Sequence, residues 1–371
     1  MKVGVPREVK DSEFRVALTP AGAHELVRLG HEVFIEHDAG VGSSIPDADF
    51  VDAGARILPD ADSVWGEAEL VCKVKEPVAE EFHRMRSDQV LFTYLHLAAS
   101  QECTKAIVES GITAIAYETV QLSDGSLPLL APMSEVAGRM APQVGAHHLQ
   151  RESGGRGVLM GGVSGVYAAK VVVLGAGVSG MNAAAIALGM QAEVLLLDKN
   201  LDKLRQADRI YQGHLQTIAS NVYEVERACL DADLVIGAVL VPGAKAPKLV
   251  SDDLVARMRP GAVLVDIAVD QGGCFESTRP TTHSEPTFRV HEAVFYCVAN
   301  MPGAVPHTST HALTNATLPY AERIAEAGWA DAVRADPALA AGVNVVAGEV
   351  VCVPVAEAHG LPVRPLADLL A

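Results

Sequence analysis

The stretch VVVLGAGVSGMNAAAIALG, residues 171–189, decides the fold. An apolar, β-branched run stops at Gly175. Gly177 and Gly180 complete the spacing G-x-G-x-x-G before an alanine-rich segment opens. The first part reads as a buried strand and the last as a helix. Glycines between them permit a tight turn, close approach of the backbone to a pyrophosphate, and close helix–strand packing, with the helix N-terminus facing the phosphates. The next apolar run, AEVLLLD, ends at Asp198, whose carboxylate can take both ribose hydroxyls and would repel a 2′-phosphate. A glycine turn in some other doubly wound domain is the competing reading. The strand, the helix and the acidic strand end together speak against it. Lys199 and Lys203 follow closely, so the residues leave a phosphorylated cofactor open. The motif predicts a nicotinamide enzyme. The nicotinamide belongs past later strand ends, where GAVLVDIAVDQGG offers Asp270 and YCVANMPG offers Asn300.

Outward from this stretch, short strands alternate with helices. Strands read at 2–6, 31–37, 69–75, 89–96 and 113–120, and helices at 19–30 and 100–111. Thr19 caps the first helix, Pro20 opens it and Gly30 stops it. The alternation predicts an α/β chain with mostly parallel sheets, built as two Rossmann-like doubly wound domains. A long helix reads over 131–152, with Pro142 expected to kink or break it. Another helix reads over 309–328, and the tail is expected to return to the first domain. The division drawn from this is a discontinuous substrate domain, 1–130 and 305–371, with the dinucleotide-binding domain and its linking helix, 131–304, inserted into it.

A length of 371 residues fits two domains of ordinary size, and 49% hydrophobic residues suffice for their cores. The formal charge of −17 argues against nucleic acid as a partner. The sequence has no 18-residue apolar run to cross a membrane, and its N-terminal segment lacks a signal-peptide apolar core. Six cysteines show no C-x-x-C pair and no metal-ligand spacing, so buried, reduced thiols in a cytoplasmic protein are expected, with no metal site. Cys274, in a glycine-rich loop, is the one suspected of reactivity.

Three ionisable residues fall near strand ends of the first domain: Arg15 in EFRVALTP, Lys75 in ELVCKVKEP and His96 in QVLFTYLH. Taken singly, each has a plainer reading: a surface salt bridge for Arg15, a solvated strand end for Lys75, a structural core histidine for His96. Together, beside a dinucleotide domain, they suit a carboxylate, a carbonyl oxygen and a proton carrier.

The segments GVPREVKDSEFRVALTPAG, KVKEP, LFTYLHLAAS, LPLLAPMSEVAGRMA, GGRGVLMGGVSGV, VDIAVDQGGCFE and NMPGAVPHTST resemble the bacterial L-alanine dehydrogenases, members of the alanine dehydrogenase/pyridine nucleotide transhydrogenase family. The likeness runs over about residues 1–328. It departs at Gln191, where a glycine is usual, and at Tyr167-Ala168, where the family carries a proline-bearing turn. The resemblance implies reversible oxidative deamination of L-alanine to pyruvate and ammonia with NAD, within L-alanine catabolism, by a homo-hexamer. It gives substrate contacts to Arg15 and Lys75, and acid–base roles to His96 and Asp270. It gives cofactor contacts to Ser134, Val178, Asp198, Lys203, Ser220, Val239, Leu240, Ile267, Asp270, Arg279, Val298, Asn300 and Met301, beside the glycines 175, 177 and 180. It also brings a second reading, an NAD(H)-binding transhydrogenase-like subunit that passes hydride to a partner.

Overall fold

The computed structural model describes residues 1–239 and 246–370. In chain order the strands are β1 (Lys2–Val5), β2 (Glu32–Glu36), β3 (Arg56–Leu58), β4 (Leu70–Cys72), β5 (Val90–Thr93) and β6 (Thr113–Ala116). Then come β7 (Lys170–Leu174), β8 (Glu193–Asp198), β9 (Gln216–Ala219), β10 (Leu234–Gly237), β11 (Val263–Asp266), β12 (Thr287–Val290) and β13 (Ala293–Tyr296). The chain finishes with β14 (Val343–Val346) and β15 (Glu349–Val350). Two compact units result. One comprises Met1–Met133 with Val305–Ala371, the other Ser134–Ala304.

The sheet of the first unit runs β15-β14-β6-β5-β4-β1-β2-β3, and that of the second β12-β13-β11-β10-β7-β8-β9. Strands β1 to β6 pair in parallel, as do β7 to β11 with β13. Each sheet therefore starts at a central strand, winds outward for two more, returns to the other side of the start, and winds outward again. This is the doubly wound order expected, and it places a switch point between β1 and β4 and another between β7 and β10. Strands such as VVVL, LVIG and VLV are buried because helices cover both faces of a parallel sheet. Two antiparallel additions have no counterpart in the alternation pattern: β14 with β15 extends the first sheet beyond β6, and β12 lies outside β13.

Several elements are shorter than their apolar runs predict. Strand β4 stops at Cys72 and β5 at Thr93, so Lys75 and His96 lie three residues past strand ends. The ladder persists weakly through Lys73 N–H to Phe92 O at 3.2 Å and Tyr94 N–H to Val74 O at 3.3 Å. Carboxylates of Glu8 and Glu118 then take the next N–H groups, which ends the pairing. The run 113–120 leaves the sheet after Ala116 and closes in a 3₁₀ turn, Tyr117–Thr119. Helix Pro20–Arg28 begins as expected, with the Thr19 hydroxyl accepting the Gly22 N–H. Pro142 does not end the linking helix, which runs from Ala131 to His148. Proline removes one donor there, a local loss that the flanking turns survive. Cysteines 72, 103, 229, 274 and 297 are buried and Cys352 is half-buried, all as free thiols. The suspicion about Cys274 is corrected: burial pushes its thiol up to about 12, which keeps it protonated and inert. No helix among the described residues is long and apolar enough to cross a membrane.

Candidate active site

The second unit gathers its candidate residues along the carboxyl edge of its sheet. Gly175 directly follows β7 with φ of 107°, and a Cβ there would come within 2.7 Å of Ala238 O, just past β10. The glycine loop thus sits at the switch point. Gly180 lies in the first turn of helix Val178–Gly189, where a Cβ would stand 1.7 Å from Gly175 O. Gly177 differs from both, since among the described residues a Cβ on it would meet nothing within 4 Å. The N–H groups at the helix start beside it are the kind of donors that bind an anion. Asp198 closes β8, and its carboxylate accepts the N–H of Ala176 at 2.7 Å and of Asn200 at 2.8 Å. It therefore ties the glycine loop to the next strand. A turn cradle, a helix start and a carboxylate beyond them fit a dinucleotide.

The other cofactor candidates extend this edge. Ser220 follows β9, its N–H donating to Asp198 O at 2.9 Å. Val239 follows β10, and Ile267 follows β11 with its N–H on Gly237 O at 2.9 Å. Val298 and Met301 are buried after β13, and Asn300 between them has φ of 62°. Arg279, exposed, lies over the Phe288 ring at 4.3 Å. Lys203 is exposed on helix Leu201–Tyr211, away from the glycine loop's own turn, and Ser134 lies in the first turn of the linking helix. Leu240 lies outside the described residues. Asp270 is exposed in the turn Val269–Gln271. That turn is organised by Asp266, a residue the sequence reading passed over as strand. Its buried carboxylate accepts the N–H of Ala268 and Cys274 and the hydroxyl of Thr278, at 3.1, 2.9 and 2.5 Å. Burial holds it above the usual carboxylate range.

In the first unit Arg15 is no surface residue. It is 2% exposed, and Glu13 grips its Nε and Nη2 at 2.6 and 2.5 Å. Burial alone would lower the guanidinium's basicity, and Glu13 reverses this. A guanidinium has two forked edges. Glu13 occupies one, and Nη1 on the other faces Met133 Sδ at 2.9 Å. His96, half-buried, stacks on Tyr94 with ring centroids 5.8 Å apart. Tyr94 in turn feels the charge of Arg15, and burial keeps its phenol protonated far above its ordinary range. Lys75 and His96 both act electrostatically on Glu76, whose carboxyl is favoured by burial to stay neutral but is pulled below its usual value by Lys10. The structure thus brings Arg15, Tyr94, His96, Glu76 and Lys75 into one neighbourhood. Beside it, Lys73 is fully buried between Glu8 at 3.2 Å and Glu81 at 2.8 Å. Burial would lower its ammonium, but the two carboxylates more than offset that.

Glu13, Glu118, Lys73 and Asp266 escape a reading based on chemistry-bearing motifs. For Glu118, Lys73 and Asp266 the available signal was positional, a charge embedded in or directly after an apolar run; Glu13, in the polar segment KDSEFR, gave no such signal.

The fold and these two clusters define a two-domain pyridine-nucleotide enzyme. Residues 4–137 match the family model described as "Alanine dehydrogenase/PNT, N-terminal domain", and residues 141–353 match "Alanine dehydrogenase/PNT, C-terminal domain". The chain is 62% identical to an alanine dehydrogenase of Mycobacterium tuberculosis over 371 residues, all of both chains. It superposes on a solved L-alanine dehydrogenase with a TM-score of 0.93 at 50% identity, again over the whole of both. A transhydrogenase structure from Sinorhizobium meliloti gives 0.81 at 27% identity, covering 95% of this chain and 99% of that one. The chain belongs to the alanine dehydrogenase/PNT family.

Proposed function

We propose that this chain is an L-alanine dehydrogenase, catalysing reversible NAD-dependent oxidative deamination of L-alanine to pyruvate and ammonia. The observation that carries this is the joint placement of Arg15, Lys75 and His96 around Tyr94 and Glu76, beside relatives of that printed activity at up to 62% identity. In this reading the second unit holds the dinucleotide, with Asp198 selecting NAD. When bound, the cofactor supplies hydride acceptance or donation at its nicotinamide.

The chain's own residues do the rest. Arg15 supplies the charge that binds the substrate carboxylate. Lys75 stabilises negative charge on the oxygen that becomes the ketone. Oxidation at Cα leaves an imine, to which water adds. A ring nitrogen of His96 takes a proton from that water, and Asp270 serves the further proton transfers as the carbinolamine loses ammonia. The same reading carries a cytoplasmic setting and a homo-hexamer, which light scattering on the purified protein checks.

The test is NADH formation with L-alanine against a panel of amino acids. Turnover with alanine and weak or absent turnover with longer side chains is the expected result. Tight NAD binding without alanine turnover would favour the hydride-passing subunit instead.

A further inference from the structure

His96 does not ride on a strand. It lies in the left-handed region with φ of 48°, a conformation uncommon for a side chain bearing Cβ. Glu118 imposes it here. This residue lies in the 3₁₀ turn after β6, the strand that pairs with β5. Its carboxylate accepts the His96 N–H at 2.6 Å and the Leu95 N–H at 3.2 and 3.3 Å. Consecutive N–H groups converging on one anion form a nest, and a nest fixes the backbone that makes it. On the other side of His96, Leu97 O accepts the Thr104 hydroxyl at 2.9 Å and the His359 Nε2 at 2.7 Å.

We infer that Glu118 is a positioning residue for the reaction: it holds the His96 backbone in the left-handed turn that stacks the imidazole on Tyr94 and aims it at the substrate. This rests on His96 being the acid–base group. A neutral amide retains one acceptor oxygen but sets a second donor against the Leu95 N–H. An alanine frees both N–H groups and lets the turn relax toward the β region. Displacement of a reacting group by about an ångström costs of order tenfold to a hundredfold in rate.

The experiment compares Glu118→Ala, Glu118→Gln and His96→Ala with the parent. It measures steady-state kinetics with alanine, NADH affinity, thermal unfolding and the NMR signals of the histidine rings. The His96 signal is assigned by its loss in His96→Ala. Glu118→Ala is expected to lower kcat by roughly tenfold to a hundredfold, with KM for alanine and NADH affinity within about twofold of the parent. The His96 ring signal should move while those of distant histidines stay. A merely structural role would change melting and not the kcat–KM split. If Glu118→Ala does not fold, Glu118→Gln decides, through a several-fold kcat loss and a displaced His96 signal. An inactive His96→Ala beside a folded Glu118 variant with parental kcat and ring signal overturns this inference alone. A fully active His96→Ala takes down the acid–base assignment with it.

Discussion

Glu13 holds Arg15 through two bonds of 2.6 and 2.5 Å inside the first unit, and neither side chain has more than 1% of its surface exposed. Sequence neighbours two apart seldom chelate each other in a helix or strand; the irregular loop after β1 permits it. The pair fixes the guanidinium plane before any substrate arrives, so its orientation is set by the fold.

Removing one partner strands the other. Arg15→Met should lower stability by about 3–5 kcal/mol, because a buried carboxylate loses its two-bonded cationic partner. Adding Glu13→Leu should recover most of that loss while leaving activity absent. Urea unfolding of the single and double variants measures it. Arg15→Lys should instead raise KM for alanine and pyruvate with NADH affinity preserved, since an ammonium cannot present two forked edges at once.

The glycine loop separates ligand clearance from packing. Gly177→Ala meets open space and keeps an ordinary φ of −79°, so melting should stay near the parent while NADH affinity falls roughly tenfold or more, about 1.4 kcal/mol. Gly180→Ala drives a methyl against Gly175 O and should cost about 1–3 kcal/mol of stability as well. Equal melting and equal affinity for both variants would mean that the phosphates lie elsewhere.

Asp198→Ala should weaken NADH roughly 10- to 150-fold, the equivalent of one charge-assisted bond. It should also narrow the gap to NADPH, because the repelling carboxylate is gone. The same change leaves the Ala176 N–H without its acceptor, so the loop should exchange its amide protons faster. Parallel fluorescence titrations with both nucleotides test this. An unchanged ratio would show that another group reads the ribose.

Lys10 and Glu76 give a pH dependence with a definite sign. Burial alone would raise the Glu76 carboxyl, but the Lys10 ammonium bonded to it brings it below its ordinary 4.5. A depressed carboxyl stabilises the fold above its unfolded value and loses that contribution as pH falls through the lower folded value. The melting gap between the parent and Glu76→Gln should therefore be present at pH 7 and shrink steadily below about pH 4.5. A gap that is constant down to pH 3 contradicts the pairing.

Much of this was legible from residues. The glycine spacing with its strand, helix and Asp198 located the second unit's switch point, because that motif is local in sequence. Strand–helix alternation revealed two doubly wound sheets for the same reason. The sequence presents Arg15, Lys75 and His96 together as chemistry-bearing groups; Lys75 and His96 follow strand ends closely, whereas Arg15 lies in the loop between β1 and helix Pro20–Arg28. What joins them runs through Tyr94 and Glu76, and these look like strand and loop filler until the chain is folded. The early ends of β4 and β5 escaped because a hydrophobic run does not show where a distant carboxylate captures the next N–H. Glu8 is 66 residues from the Val74 N–H it accepts, and Glu118 is 22 from that of His96. The antiparallel edges escaped because their strands are short: β12–β13 and β14–β15 are local hairpins, and only the pairing of β14 with β6 joins segments remote in sequence.

The two sheets share one winding order and therefore one crevice apiece, between β1 and β4 and between β7 and β10. In the second, bare backbone leaves room for a visiting phosphate. In the first, the chain furnishes the anion itself: the Glu8 carboxylate takes the Val74 N–H at 2.6 Å, just past the end of β4, and Lys73 balances it from within. That position is thus filled by the chain's own carboxylate and its paired ammonium. One winding order thus carries a bare glycine turn in one unit and a buried ion pair in the other, without any change of topology.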